Sequence, residues 1–123
     1  MAILTVTVQN LLGKYPVTPL TANSADIVFT PAGADFADGF QFVHTGREII
    51  LVRNGNVGAQ TITINSVPNA KGRSGTITAY SLGAGEYAAF PPFPVDGWRQ
   101  SSGYLTGAMS AADVEIAVLR LPD

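Results

Sequence analysis

Gly46-Arg-Glu-Ile-Ile-Leu-Val-Arg-Asn54-Gly55, followed shortly by Thr61-Ile-Thr-Ile-Asn65, is the stretch that decides the fold. In the second segment Ile62 and Ile64 alternate with Thr61, Thr63 and Asn65. A period of two puts neighbouring side chains on opposite faces of a strand, and β-branched residues suit that pleated, half-buried surface. Ile49-Ile-Leu-Val52 is instead apolar on both faces, which predicts a mid-sheet strand with cover on each side. That cover is either a loop of the same chain or another subunit. Asn54-Gly55 favours positive φ, so a hairpin from 47–53 to 59–66 is expected.

The same alternation recurs on both sides of this stretch. Leu4, Val6 and Val8 share one face against Thr5 and Thr7. Ile77 and Ala79 oppose Thr76 and Thr78, and Val114, Ile116 and Val118 oppose Glu115, Ala117 and Leu119. Turn punctuation separates the runs at Gly72-Arg-Ser-Gly75 and Gly83-Ala-Gly85. Pro91-Pro-Phe-Pro94 cannot donate to a ladder, so it is an edge or a rigid extended loop. No long window shows a helical period, although residues 31–40 and 103–112 each have room for a turn or short helix. The expectation is an all-β chain forming a single domain over residues 1–123, with residues 1–25 a partly extended N-terminal arm. Its architecture is a β-sandwich or jelly-roll-like barrel of about seven to eight mostly antiparallel strands.

Composition narrows the function. The chain has 123 residues, which suits one domain. Charged residues make up 13%, against a usual ~25%, while the hydrophobic share of 46% is ordinary. Much of the surface is therefore neutral, as expected where partner chains cover part of it or where the protein is an adhesive module. The net charge is −2, and Lys71 with Arg73 is the densest basic pair, too little for direct nucleic-acid binding. With no cysteine, disulfides, zinc–thiolate sites and thiol nucleophiles are excluded. Met1–Val8 lacks a basic start and alternates apolar residues with Thr, so it reads as a strand and not a signal peptide. No run of about 18 apolar residues predicts a membrane span, and a soluble product is expected.

Parts for catalysis are scarce. His44 is the single histidine, and no serine sits in a Gly-x-Ser-x-Gly elbow, so the expected role of His44 is a solvent-facing or hydrogen-bonded strand-end residue. Asp35-Phe-Ala-Asp38-Gly39 has two carboxylates but not the full oxygen-ligand set of a calcium loop, and an Asp-stabilised turn is expected. Gly72-Arg-Ser-Gly75 lacks the Gly-Lys-Ser/Thr ending of a phosphate loop. No enzyme activity, cofactor or metal is expected. Tyr87-Ala-Ala-Phe90-Pro-Pro-Phe93-Pro-Val-Asp-Gly-Trp98 concentrates aromatics and prolines. It reads as a loop sealing the end of the sandwich, as a protein-contact loop, or as a sugar-stacking platform.

In order, the segments Gly46–Asn54, Thr61–Asn65, Ala84-Gly-Glu86, Pro91–Pro94 and Val114–Leu121 resemble those of small tailed-bacteriophage and prophage virion proteins described as head decoration or cement-like proteins. The resemblance covers residues 40–121 and lies in the order and spacing of these motifs, each weak alone. It implies a β-sandwich or barrel on the capsid exterior, made in the host cytoplasm, contacting the major capsid protein and forming a homo-oligomer, with a trimer favoured. It carries over no catalytic residue. The expected contact elements are residues 1–25 and the Phe90–Trp98 loop, with Ile50, Val52, Phe90, Phe93 and Trp98 as contact residues. The alternative is a carbohydrate- or receptor-binding module of a virion appendage, led by Trp98, Tyr87 and Tyr104.

Overall fold

Val6 lies between two short strands that belong to different sheets. The structure, a computed structural model, describes residues 3–11, 27–34 and 36–121. Strand β1 (Leu4–Thr5) runs parallel to β4 (Phe40–Val43), and β2 (Val8–Asn10) runs parallel to β10 (Val114–Arg120). The predicted alternation holds, with Val6 at 4% exposure between the exposed Thr5 and Thr7, but the strand crosses from one sheet to the other at that point.

The remaining strands are β3 (Thr30–Pro31), β5 (Glu48–Asn54), β6 (Gln60–Ile64), β7 (Ile77–Leu82), β8 (Tyr87–Phe90) and β9 (Tyr104–Met109). A 3-10 turn at Phe36–Asp38 is the only helix among the described residues. One sheet has the order β1-β4-β9-β6-β7 and the other β2-β10-β5-β8, with β3 also on the β10 edge. The protein is thus an all-β sandwich of two separate sheets, with no closed barrel. Its ten described strands exceed the expected seven to eight because the N-terminal run divides and β3 and β9 add to it. All pairings other than β1–β4 and β2–β10 are antiparallel.

The expected hairpin across Asn54-Gly55 is not formed. β5 and β6 belong to opposite sheets, and neither Asn54 nor Gly55 has positive φ. Asn54 is fully buried instead, and its carboxamide organises the crossover. Its Nδ2 donates to the carbonyls of Gly58 and Leu82 at 3.0 Å and of Gly83 at 3.2 Å, while Oδ1 accepts from Asn56 N at 2.9 Å. From β4 onward only β6 and β7 are successive strands paired directly; every other connection changes sheet. Residues 103–112 also differ from expectation. They hold β9, whose alternation of half-buried and buried residues places Leu105, Gly107 and Met109 inward.

The core fills the space between the sheets. Phe40, Phe42, Ile62, Ile64 and Leu105 enter from one side, and Ile50, Val52, Val114, Ile116 and Val118 from the other, all with 0% exposure. Burying each such side chain stabilises the fold by about 1.5–3 kcal/mol before the entropy of ordering is subtracted. Gly107 makes room in this layer, since a Cβ there would stand 2.5 Å from the Phe40 ring and closer still to the Thr63 carbonyl oxygen.

β5 is an interior strand, as its double-sided apolar pattern requires. On its outward face Ile49 and Leu51 are half-buried, opposite Leu119 and Ala117 of β10. Ala117 and Leu119 stand outside the central core yet are only 0% and 5% exposed. The chain itself therefore supplies cover on this face. Nearby, Gln9 clasps the backbone of Val28 through two bonds of 2.7 and 3.0 Å, and the Phe29 ring meets Tyr87 edge-on.

The loops segregate to two ends. Asn54 N donates to the Glu86 carbonyl, Gly55 N to Asp113 and Gly33 N to Ala112, which gathers the 54–59, 83–86, 110–113 and 33–39 segments at one end. His44 N donates to Gly103, Leu121 N to Arg47 and Val67 N to Gly97, which gathers the 44–47, 65–76 and 91–103 segments at the other.

Candidate functional site

The second end carries the aromatic–proline loop, and its geometry begins with β8. Phe90 pairs with Ile50 across the ladder and turns its ring into the core, leaving 8% exposed. Pro91 and Pro92 then stop the strand, because neither can donate to a further ladder bond. Phe93 folds back as a plug, also 8% exposed, and Trp98 stacks on it with ring centroids 4.1 Å apart and planes 29° from parallel. Trp98 is half-buried, so the sealing function of this loop is realised by Phe93 with Trp98 as its lid.

His44 fastens the plug. It is fully buried, contrary to a solvent-facing position, while its neighbour Val43 is 49% exposed. Its Nε2 lies 2.8 Å from the Phe93 carbonyl oxygen. A carbonyl only accepts, so Nε2 carries the proton and Nδ1 holds the free lone pair. Nδ1 is buried without a hydrogen-bond partner. Burial pushes the His44 pKa below 6.5, outweighing the Phe93 bond and the nearby Glu48 charge, and the Arg99 charge adds to the lowering.

Glu48 is the second buried ionisable group, 1% exposed at the start of β5. It accepts from Thr45 N at 2.8 Å, Thr45 Oγ1 at 2.5 Å and Arg120 Nε at 2.5 Å. Burial opposes its ionisation, but the Thr45 and Arg120 bonds outweigh that cost and hold its pKa at about 2. Chemically, this cluster locks loops. The Thr45 hydroxyl is committed to Glu48 and the His44 proton to a backbone carbonyl, so no hydroxyl–imidazole–carboxylate relay is assembled.

Four of the five expected contact residues are buried in the structure. Ile50 and Val52 have no exposed surface and face the opposite sheet. Phe90 and Phe93 are likewise spent on the core. Trp98 alone of the five keeps appreciable surface, beside Val95 at 40% exposure. Of the expected N-terminal arm, residues 1–2 and 12–25 lie outside the described residues, as does Asp35 of the acidic pair. Among the described residues no group of three or more His, Asp or Glu side chains is placed to hold a metal ion.

The three aromatics of the carbohydrate reading do not form one platform. Tyr104 opens β9 at the Trp98 end, whereas Tyr87 opens β8 beside the 83–86 turn at the other. Tyr87 is engaged there by Phe29 and by the Arg53 guanidinium, 5.9 Å from its ring centre. A cavity of about 260 Å³ is lined by Thr7, Gln9, Val28 and Thr30, none of them titratable.

Sequence reasoning named Lys71 and Arg73 but missed that they share one end of the sandwich with Arg99 and Trp98. Val67 N donates to Gly97 O at 2.7 Å and Ala70 N to Asp96 Oδ1 at 3.0 Å, lacing the 65–76 and 91–103 loops together. Lys71 and Arg73 on the first loop and Arg99 on the second are exposed. Their separation in sequence hid this grouping, since only the loop lacing brings them to one end. No family model matches the chain, and no curated protein or solved structure matches it.

Proposed function

We propose that this chain is a non-enzymatic structural protein of a tailed-phage particle, one that binds the outer surface of the capsid and stabilises it. What supports the reading is the resemblance, in order and spacing, of five motifs to those of head decoration proteins. Gly46–Asn54 supplies β5, Thr61–Asn65 supplies β6, Ala84–Glu86 forms the turn before β8, Pro91–Pro94 forms the plug and Val114–Leu121 supplies β10. Three of these motifs are strands of the sandwich and two are its turns, so the resemblance concerns the framework built by residues 40–121. A weakly charged surface, with 13% charged residues in the chain, agrees with a protein partly covered in its working state.

A capsid offers many identical sites, so a modest interface per chain gains from avidity when subunits are linked as a trimer. About 800 Å² per partner is enough for specific docking. Preferential binding to the mature lattice stabilises that lattice by mass action. Thermal melting of expanded shells of the matching major capsid protein tests the reading. A higher melting temperature with the protein present is expected, and an unchanged one would rule out the cementing role.

A further inference from the structure

We infer that the Trp98 end of the sandwich is a docking face for an acidic protein surface, with Lys71, Arg73 and Arg99 as its charged contacts. This rests on the capsid-surface reading and identifies the face that meets the shell. The chain is acidic as a whole, at −2, so the sign of this end has to come from the placement of charge. Among the described residues the carboxylates at this end are Glu48 and Asp96. Glu48 is buried against Arg120, and Asp96 is occupied by the Ala70 N–H. Asp38, Glu86, Asp113 and Glu115 all lie toward the opposite end, where Arg53 alone is paired, with Glu115. Among the described residues, this end is therefore cationic and the other anionic.

Lys71 and Arg73 sit on a turn held by its own hydrogen bonds. Asn69 Oδ1 accepts from both Lys71 N at 2.9 Å and Arg73 N at 3.0 Å, and Asn69 N donates to Arg73 O at 2.7 Å. The turn is closed by Gly72, whose φ of +75° suits a residue without Cβ. A turn ordered in advance loses little entropy on binding, so its charges contribute more of their attraction to affinity. Beside them, Trp98 and the exposed Val95 add the apolar and aromatic surface that dominates protein–protein contacts. Three exposed cations on two laced loops, together with the surface of Trp98 and Val95, fit a carboxylate-rimmed protein patch. A nucleic acid backbone calls for a longer basic track.

The test compares the wild type with a Lys71→Glu/Arg73→Glu/Arg99→Glu variant and an Asp113→Lys control at the opposite end. All four side chains are exposed, and heat melting confirms that each variant folds. The first probe is immobilised poly-L-glutamate at about 50 mM salt, where exposed charges are weakly screened. Retention of the wild type and the control, with the triple variant flowing through, is expected; equal elution of all three overturns the inference. Tighter retention on duplex DNA than on poly-L-glutamate also overturns it, in favour of a nucleic-acid face. The second probe is the expanded shell, on which the triple variant is expected to bind at least about tenfold more weakly. If the triple variant binds shells as well as the wild type, this docking face is wrong and the decoration reading stands. If the wild type is retained on poly-L-glutamate but binds no shell, the decoration reading fails and the acidic partner is another protein.

Discussion

His44 Nε2 donates to the carbonyl of Phe93 across 2.8 Å, and this bond ties the end of β4 to a plug 49 residues later in the chain. It sets the tautomer, holds the proline-rich loop against the core and leaves Nδ1 buried and unpartnered. Protonating the ring would place a second N–H where no acceptor waits.

Stability should therefore fall in mildly acidic solution. Burial lowers the folded pKa of His44 below 6.5, so the unfolded chain takes up its proton first as pH falls. The contribution is fully present above 6.5 and is lost as pH drops from there toward the folded value. Urea denaturation at about pH 8 and about pH 5 should show this loss, and His44→Gln should abolish the step while lowering the plateau. An identical step in His44→Gln would assign it to another group.

Glu48 adds a separate, more acidic window. Its pKa falls from 4.5 to about 2, so its contribution is present above 4.5 and disappears as pH falls toward 2. At neutral pH, Arg120→Met leaves a carboxylate with no exposed side-chain surface short of its cation. A loss of about 3 kcal/mol is expected, since Thr45 still donates to it. Glu48→Gln should cost less, about 1–2 kcal/mol, because Arg120 keeps a quarter of its surface in water. Equal costs for the two in urea titrations would contradict this account of the pair.

Asn54 is expected to be the most sensitive polar position. Asn54→Ala removes a donor shared by three carbonyls and an acceptor for Asn56 N. A cost of about 3 kcal/mol is expected in urea, and Asn54→Asp should be worse because a carboxylate cannot donate to those carbonyls. Retained stability in Asn54→Asp would show that the crossover is held by other bonds.

Gly107→Ala should destabilise the protein by about 2 kcal/mol or more, because the new methyl meets both the Phe40 ring and the Thr63 carbonyl. Gly75→Ala, whose Cβ would face open space, should change stability by less than about 0.5 kcal/mol. Thermal melting of the two variants side by side checks the contrast.

The period-two pattern made the strands legible. β6 and β10 stand where alternating Ile, Val and Thr place them, and β5 where its double-sided apolar run does. The alternation of β7 breaks at Ala79, exposed with φ of +52° opposite a register shift in β6. Side-chain periodicity reports local geometry directly. It is silent on which sheet a strand joins, and for that reason the Asn54-Gly55 hairpin was expected where a crossover stands. β9 was hidden by Gly107, which interrupts its apolar alternation although the core requires a gap there. His44 and Asn54 are polar residues made core by hydrogen bonds to partners 49 and 28 positions away, and no local pattern encodes such pairings. The burial of the expected contact residues was illegible for the same reason: apolar side chains such as Ile50 and Phe93 satisfy the core first. The cationic end was equally invisible, since the lacing of two distant loops creates it.

The most direct measurement is co-sedimentation of the purified protein with expanded and unexpanded shells of the matching major capsid protein. Saturable binding to expanded shells, near about one chain per capsid subunit, is the expected result for a protein that stabilises the mature lattice. No binding to either shell would contradict the capsid role.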